Sequence, residues 1–125
     1  MKKAIQIPGA PAPIGPYSQA IISGDTVYVS GQIPLNPFTG ELEVESIEDA
    51  THQILKNIES LLKEAGLTLN NIVKCSIFMT DLGQFSEMNA VYGSYFQDVP
   101  PARETVQVSK LPMNVPIEIS CIAVK

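Results

Sequence analysis

Residues 117–124, Ile117-Glu118-Ile119-Ser120-Cys121-Ile122-Ala123-Val124, leave a folding chain few options. Their side chains alternate with a period of two, so the segment reads as a β-strand. One face carries Ile117, Ile119, Cys121 and Ala123; the other still carries Ile122 and Val124 beside Glu118 and Ser120. A strand this apolar on both sides belongs in the middle of a sheet, covered on each face. Glu118 stands out there, because a carboxylate taken out of water has to be hydrogen-bonded, paired or protonated.

The segment before it follows Pro100-Pro101 and also alternates, with Arg103, Thr105 and Gln107 on one face and Glu104, Val106 and Val108 on the other. If residues 110–115 close an antiparallel hairpin symmetrically, Gln107 faces Glu118 and Arg103 faces Ile122. Arg103 and Glu118 then share a sheet face, ~13 Å apart along the strand. That spacing suits a small polar ligand held between a fixed cation and a poised carboxylate. A surface arginine and a glutamate satisfied by backbone donors fit the same alternation.

At 125 residues the natural organisation is one domain, 1–125. A chain of this size buries roughly two-thirds of its unfolded surface, enough for a core. The net charge of −5 and the lack of any Lys/Arg cluster argue against nucleic acid as a partner. No apolar run approaches the roughly 18 residues of a membrane span. Residues 1–8 lack the apolar region of a signal peptide and read as a first short strand. Cys75 and Cys121 fit no metal spacing and fall on apolar strand faces, as buried reduced thiols of a cytoplasmic protein do. The single histidine, His52, lies beside charged helical positions and reads as solvated, so no metal site is expected.

Residues 8–19 hold four of the ten prolines. Each proline fixes its own φ and restrains the residue before it, so this stretch is stiff and extended. Tyr17 is the side chain it would position, either in a site or as an aromatic lid over apolar neighbours. Two short strands flank Gly24-Asp25, which fits a two-residue turn with glycine first. Gly31, after Ser30, either allows close approach to the backbone or simply makes a turn.

Ser46 opens a helix whose apolar residues recur at three- and four-residue intervals from Ile47 to Ala65, and Gly66 stops it. Residues 73–80 alternate as a strand. A second helix follows with Phe85, Met88, Tyr92, Tyr95 and Phe96. Asn89 lies on that stripe, either satisfied in the core or aimed into a site. The order is strand, hairpin, helix, strand, helix, strand, strand. Two helices cover one sheet face; the other, with Ile122 and Val124, calls for a partner, and a second copy is the simplest.

Taken in order, Gly15-Pro16-Tyr17-Ser18-Gln19-Ala20, Ser30-Gly31-Gln32-Ile33-Pro34, the Asn89 helix, Pro101-Ala102-Arg103 and Ile117-Glu118-Ile119 resemble the reactive-intermediate-deaminase (Rid/YjgF) family, more narrowly its imine-deaminase subgroup. The resemblance covers essentially the whole chain. It implies a chorismate-mutase-like α+β fold: a mixed, mainly antiparallel sheet with two helices on one face, assembled as a homotrimer with inward-facing sheets and clefts between subunits. It also implies hydrolysis of 2-iminobutanoate and 2-iminopropanoate to 2-oxo acids and ammonia, without cofactor or metal.

By position, the resemblance gives Arg103 the substrate carboxylate, Glu118 the attacking water and Tyr17 the pocket wall. Ser30, Gly31, Asn89 and the backbone near Thr105 would orient substrate and water. Two departures stand out: Glu104 follows the arginine where the family usually has a small residue, and Thr105 occupies a place often held by cysteine. Relatives have also been credited with endoribonuclease or translation-inhibitor activity, against which the acidic charge and the lack of a histidine pair count. A small-acid-binding or chaperone-like trimer without catalysis is the remaining reading.

Overall fold

The computed structural model describes residues 1–10 and 12–125. Pro11, one of the prolines of the stiff segment, lies outside the described residues. Strands β1 (Lys2–Ile5), β2 (Ala20–Ser23) and β3 (Thr26–Gln32) precede helix α1 (Ile47–Glu64). Strand β4 (Ile72–Met79), helix α2 (Phe85–Tyr95), β5 (Ala102–Gln107) and β6 (Ile117–Val124) complete the order, the one read from the sequence.

Local chemistry explains the elements. The Ser46 hydroxyl accepts a hydrogen bond from the Asp49 N–H at 3.0 Å, capping α1, whose first turn carries Glu48 and Asp49 against the positive helix end. Gly66 takes φ +75° just past the last turn, and the Leu67 N–H reaches back to the Leu62 carbonyl at 2.9 Å. Between β2 and β3, Ser23 pairs with Thr26 across Gly24-Asp25, with Gly24 at φ +60°.

All six strands join one sheet in the order β1-β2-β3-β6-β4-β5. Strand β6 lies between β3 and β4, the interior place its two apolar faces require. Every pairing is antiparallel except β4 with β5, which run parallel because α2 carries the chain back across the sheet. The fold is therefore α+β, with a mixed, mainly antiparallel sheet. Ile54, Leu55, Ile58, Leu61 and Leu62 of α1 and Met88 and Tyr92 of α2 bury against Val27, Ile77, Ile117 and Ile119 on one face of it. Full burial of each such aliphatic side chain contributes roughly 1.5–3 kcal/mol. No helix is long and apolar enough to cross a membrane among the described residues.

The opposite face carries Tyr28, Val106 and Val124, exposed, with Phe78 and Ile122 half-buried, and neither helix packs on it.

The expected β5–β6 hairpin does not form, because β4 lies between the two strands. Residues 108–116 instead pass over the end of β4: the Val108 N–H donates to the Met79 carbonyl and the Thr80 N–H to the Pro116 carbonyl. Left-handed Met113 (φ 55°) and Asn114 (φ 56°) turn the chain within that connection. Arg103 lies opposite Cys75, and Glu118 opposite Phe78. Residues paired across strands share a face, and positions 75 and 78 on β4 face opposite ways. Arg103 and Glu118 therefore stand on opposite faces of the sheet, which corrects the shared face expected from a symmetric hairpin.

Candidate functional site

Arg103 is held by side chains of α2. Phe85, Asn89 and Tyr92 recur on α2 at intervals of four and three, so they form one stripe along the helix. The chain returns from α2 into β5 with Arg103 on the sheet face beneath that stripe. Arg103 Nη1 donates to Asn89 Oδ1 at 2.8 Å. The Arg103 Cζ lies 4.8 Å from the centroid of the Tyr92 ring and 5.5 Å from that of Phe85. Both are cation–π distances, each contact worth about 0.5–2 kcal/mol depending on burial. The Leu82 N–H donates to Gln107 Oε1 at 2.9 Å, tying the approach to α2 onto β5. Asn89 is thus aimed at the arginine and not spent in the core. Among the described residues, Arg103 Nε and Nη2 have no acceptor.

Thr105 follows on the same face, opposite Ile77, and its Oγ1 is buried without a hydrogen-bond partner. The Tyr92 hydroxyl is buried too, without a hydrogen-bond partner. Burial is the main force pushing both the Tyr92 hydroxyl and the Cys75 thiol above their ordinary pKa ranges. The two groups stay neutral.

Glu118 occupies a different place. On the uncovered face of β6 it is half-buried beside Phe78, and desolvation alone raises its carboxyl above the ordinary range. A bulge between Val29 and Gln32 throws Ser30-Gly31 out of register with β6. It brings Gly31 so near Glu118 that a Cβ there would lie 2.6 Å from the carboxyl carbon. Ser30 acts as a strut: its hydroxyl donates to the Ser18 carbonyl at 2.6 Å and its N–H to the Gln19 carbonyl at 2.9 Å. These bonds fix the segment that carries Tyr17. Tyr17 itself is 56% exposed and lines a cavity of about 310 Å³ with Ala4, Pro13 and Gln19, at the β1–β2 side of the sheet. Strands β2 and β5 are four spacings apart, ~19 Å.

Glu104 points to the uncovered face, away from Arg103. Its carboxylate pairs with Lys74 Nζ at 2.9 Å and accepts from the Ser76 hydroxyl. The Ser76 hydrogen bond first, and Lys74 second, hold its pKa below the ordinary range. Glu104 therefore does not compete for the guanidinium.

One chain thus brings Arg103, Asn89 and Thr105 together, and separately Glu118, Gly31 and Ser30, with Tyr17 apart from Arg103. Phe85 and Tyr92 were legible only as an apolar stripe; their spacing from Asn89 was the available sign of a shared target. A second hollow, about 660 Å³, lies outside α1 between Asn36, Glu43, Asp49, His52, Lys56 and Tyr95, with His52 Nδ1 2.9 Å from the Tyr95 hydroxyl. None of the candidate site residues named from the sequence lines it.

A family model described as Endoribonuclease L-PSP matches residues 8–125. The RutC family protein of Pyrococcus horikoshii is 47% identical over 125 residues, covering 100% of this chain and 99% of its own. The 2-iminobutanoate/2-iminopropanoate deaminase of Mus musculus is 42% identical, covering 100% of this chain and 93% of its own. Among solved structures, YyfA from Yersinia pestis, of the conserved Rid protein family, matches with a TM-score of 0.95 at 47% identity, covering both chains completely.

Proposed function

The chain belongs to the Endoribonuclease L-PSP family, which includes the Rid/YjgF proteins, and from that membership we propose that it hydrolyses short 2-imino acids to 2-oxo acids and ammonia. The observation that carries this reading is Arg103, a guanidinium held by Asn89 and two rings with Nε and Nη2 unspent. Two parallel N–H groups match a carboxylate, a charge-assisted contact worth roughly 1.5–3 kcal/mol. The mouse relative's name supplies the substrate class, 2-iminobutanoate and 2-iminopropanoate.

In the proposed reaction, water adds to the C=N carbon. Glu118 takes a proton from that water and returns one to the nitrogen. The carbinolamine then loses ammonia and leaves the carbonyl. Desolvation raises the proton affinity of this carboxyl, which suits it to take a proton from water, and such catalysis contributes roughly 10²–10⁴-fold. The balance needs only substrate and water.

Because Arg103 and Glu118 face opposite ways, the working site is proposed to form between copies in a homotrimer. The β5 edge of one copy would bring Arg103, Asn89 and Thr105 to Glu118, Gly31 and Tyr17 of its neighbour. Tyr28, Ile122 and Val124 on the uncovered face supply apolar surface for such an assembly. The imines come from pyridoxal-phosphate dehydratases, which makes the cytoplasm the proposed compartment. The net charge of −5 gives little purchase on RNA.

The test generates 2-iminobutanoate with a threonine dehydratase and follows 2-oxobutanoate against a semicarbazide trap. Wild type should accelerate its release and Arg103→Ala should not. No acceleration by wild type, or full activity in Arg103→Ala, overturns the proposal; RNA cleavage that vanishes with Arg103→Ala would put an endoribonuclease in its place.

A further inference from the structure

We infer that Tyr92 is a positioning residue for Arg103: its ring sets the plane in which the guanidinium presents its free N–H groups. The inference rests on the proposed role of Arg103 as the carboxylate anchor, but its geometry stands independently. Tyr92 is 5% exposed and held between two groups. Its ring lies 4.8 Å from Arg103 Cζ, and the Phe96 ring packs against it with centroids 4.6 Å apart at 43°.

The hydroxyl takes no part in this contact, since it is buried without a hydrogen-bond partner. The ring therefore carries the contact: strand pairing sets Arg103 beside Cys75, and α2 lays the Tyr92 ring over the guanidinium. Phe85 is more exposed and Asn89 reaches one nitrogen only, so neither fixes the plane alone. An arginine ordered before its ligand arrives does not lose rotamer freedom on binding, so the contribution belongs to affinity.

The test uses Tyr92→Leu, which removes the ring, and Tyr92→Phe, which removes only the hydroxyl. In nitrogen-15-labelled protein the Arg103 Nε–H resonance, assigned by its disappearance in Arg103→Lys, should sit upfield from the ring current. It should move toward the position of free arginine in Tyr92→Leu and stay near the wild-type position in Tyr92→Phe. With 2-iminobutanoate, KM should rise about tenfold in Tyr92→Leu and stay within about twofold in Tyr92→Phe, with kcat within about twofold of wild type in both. An unmoved resonance in Tyr92→Leu, an equal shift in Tyr92→Phe, or a loss confined to kcat overturns the inference. Should Tyr92→Leu fail to fold, Tyr92→Met, which also lacks the ring, decides it: unchanged resonance and KM overturn it. Should wild type show no turnover, the deaminase reading fails, while the resonance still decides whether Tyr92 holds Arg103.

Discussion

Gly31 provides the room in which the Glu118 carboxyl sits: a Cβ on residue 31 would lie 2.6 Å from both the carboxyl carbon and Oε2 of Glu118. No side chain tolerates such a contact, so Gly31→Ala forces the carboxyl aside or the bulge to shift. The expected cost is about 1–3 kcal/mol of stability. A lowered thermal midpoint and a sharp loss of kcat should appear together. Combining Gly31→Ala with Glu118→Ser, which clears the space, should restore the midpoint but not the turnover.

Glu118 should leave its mark on the pH dependence of both stability and rate. Its carboxyl is raised in the folded chain, so over the window from the ordinary glutamate value up to the raised one the folded state binds more protons than the unfolded state. Stability therefore falls as pH rises through that window. Below the ordinary value the carboxyl is protonated in both states, and nothing is lost. Glu118→Gln removes this dependence, so its midpoint should gain on wild type with rising pH and then level off. If the carboxylate accepts the proton from water, wild-type kcat/KM should climb across the same window, and Glu118→Gln should lose roughly 10²–10⁴-fold.

Arg103→Lys keeps the charge and removes the planar fork, while Arg103→Ala removes both. A contact of about 1.5–3 kcal/mol predicts a rise in KM of roughly 10–150-fold for the alanine variant. The lysine variant should fall between alanine and wild type, since an ammonium cannot keep two parallel bonds. Calorimetric binding of 2-oxobutanoate should follow the same order.

Mixing experiments test whether one site draws on two copies. Arg103→Ala and Glu118→Ala should each be inactive alone. Co-refolded at equal amounts, they should regain about a quarter of wild-type activity, because random association places an intact Arg103 opposite an intact Glu118 in that share of sites. No recovery from a properly assembled mixture would show that the two groups do not work across an interface.

Much of the fold was legible in residue order. The α1 cap and stop, the Gly24-Asp25 turn and the interior place of β6 all follow from local chemistry, and the structure has them. Direction and partnership were not legible. Alternation tells which side chains of a strand share a face, but it is silent on which strand lies alongside. Here β4 enters between the last two strands, and β5 pairs with it in parallel. That single insertion moved Arg103 under α2 and left Glu118 on the far side. The spacing of Phe85, Asn89 and Tyr92 was visible from the start; the guanidinium they converge on was not, because neither periodicity says which face of β5 the helix stripe packs over. Glu104 went the other way: alternation alone turned it from Arg103, and Lys74 and Ser76 hold it there.

If the proposed chemistry needs both groups, a sheet that shows its cation on one side and its acid on the other would leave a lone subunit native in shape and idle in chemistry. Specific activity would then track the degree of association and not the amount of protein, under mass action. A solution thinned past that equilibrium would go quiet while its circular dichroism remained that of the intact chain.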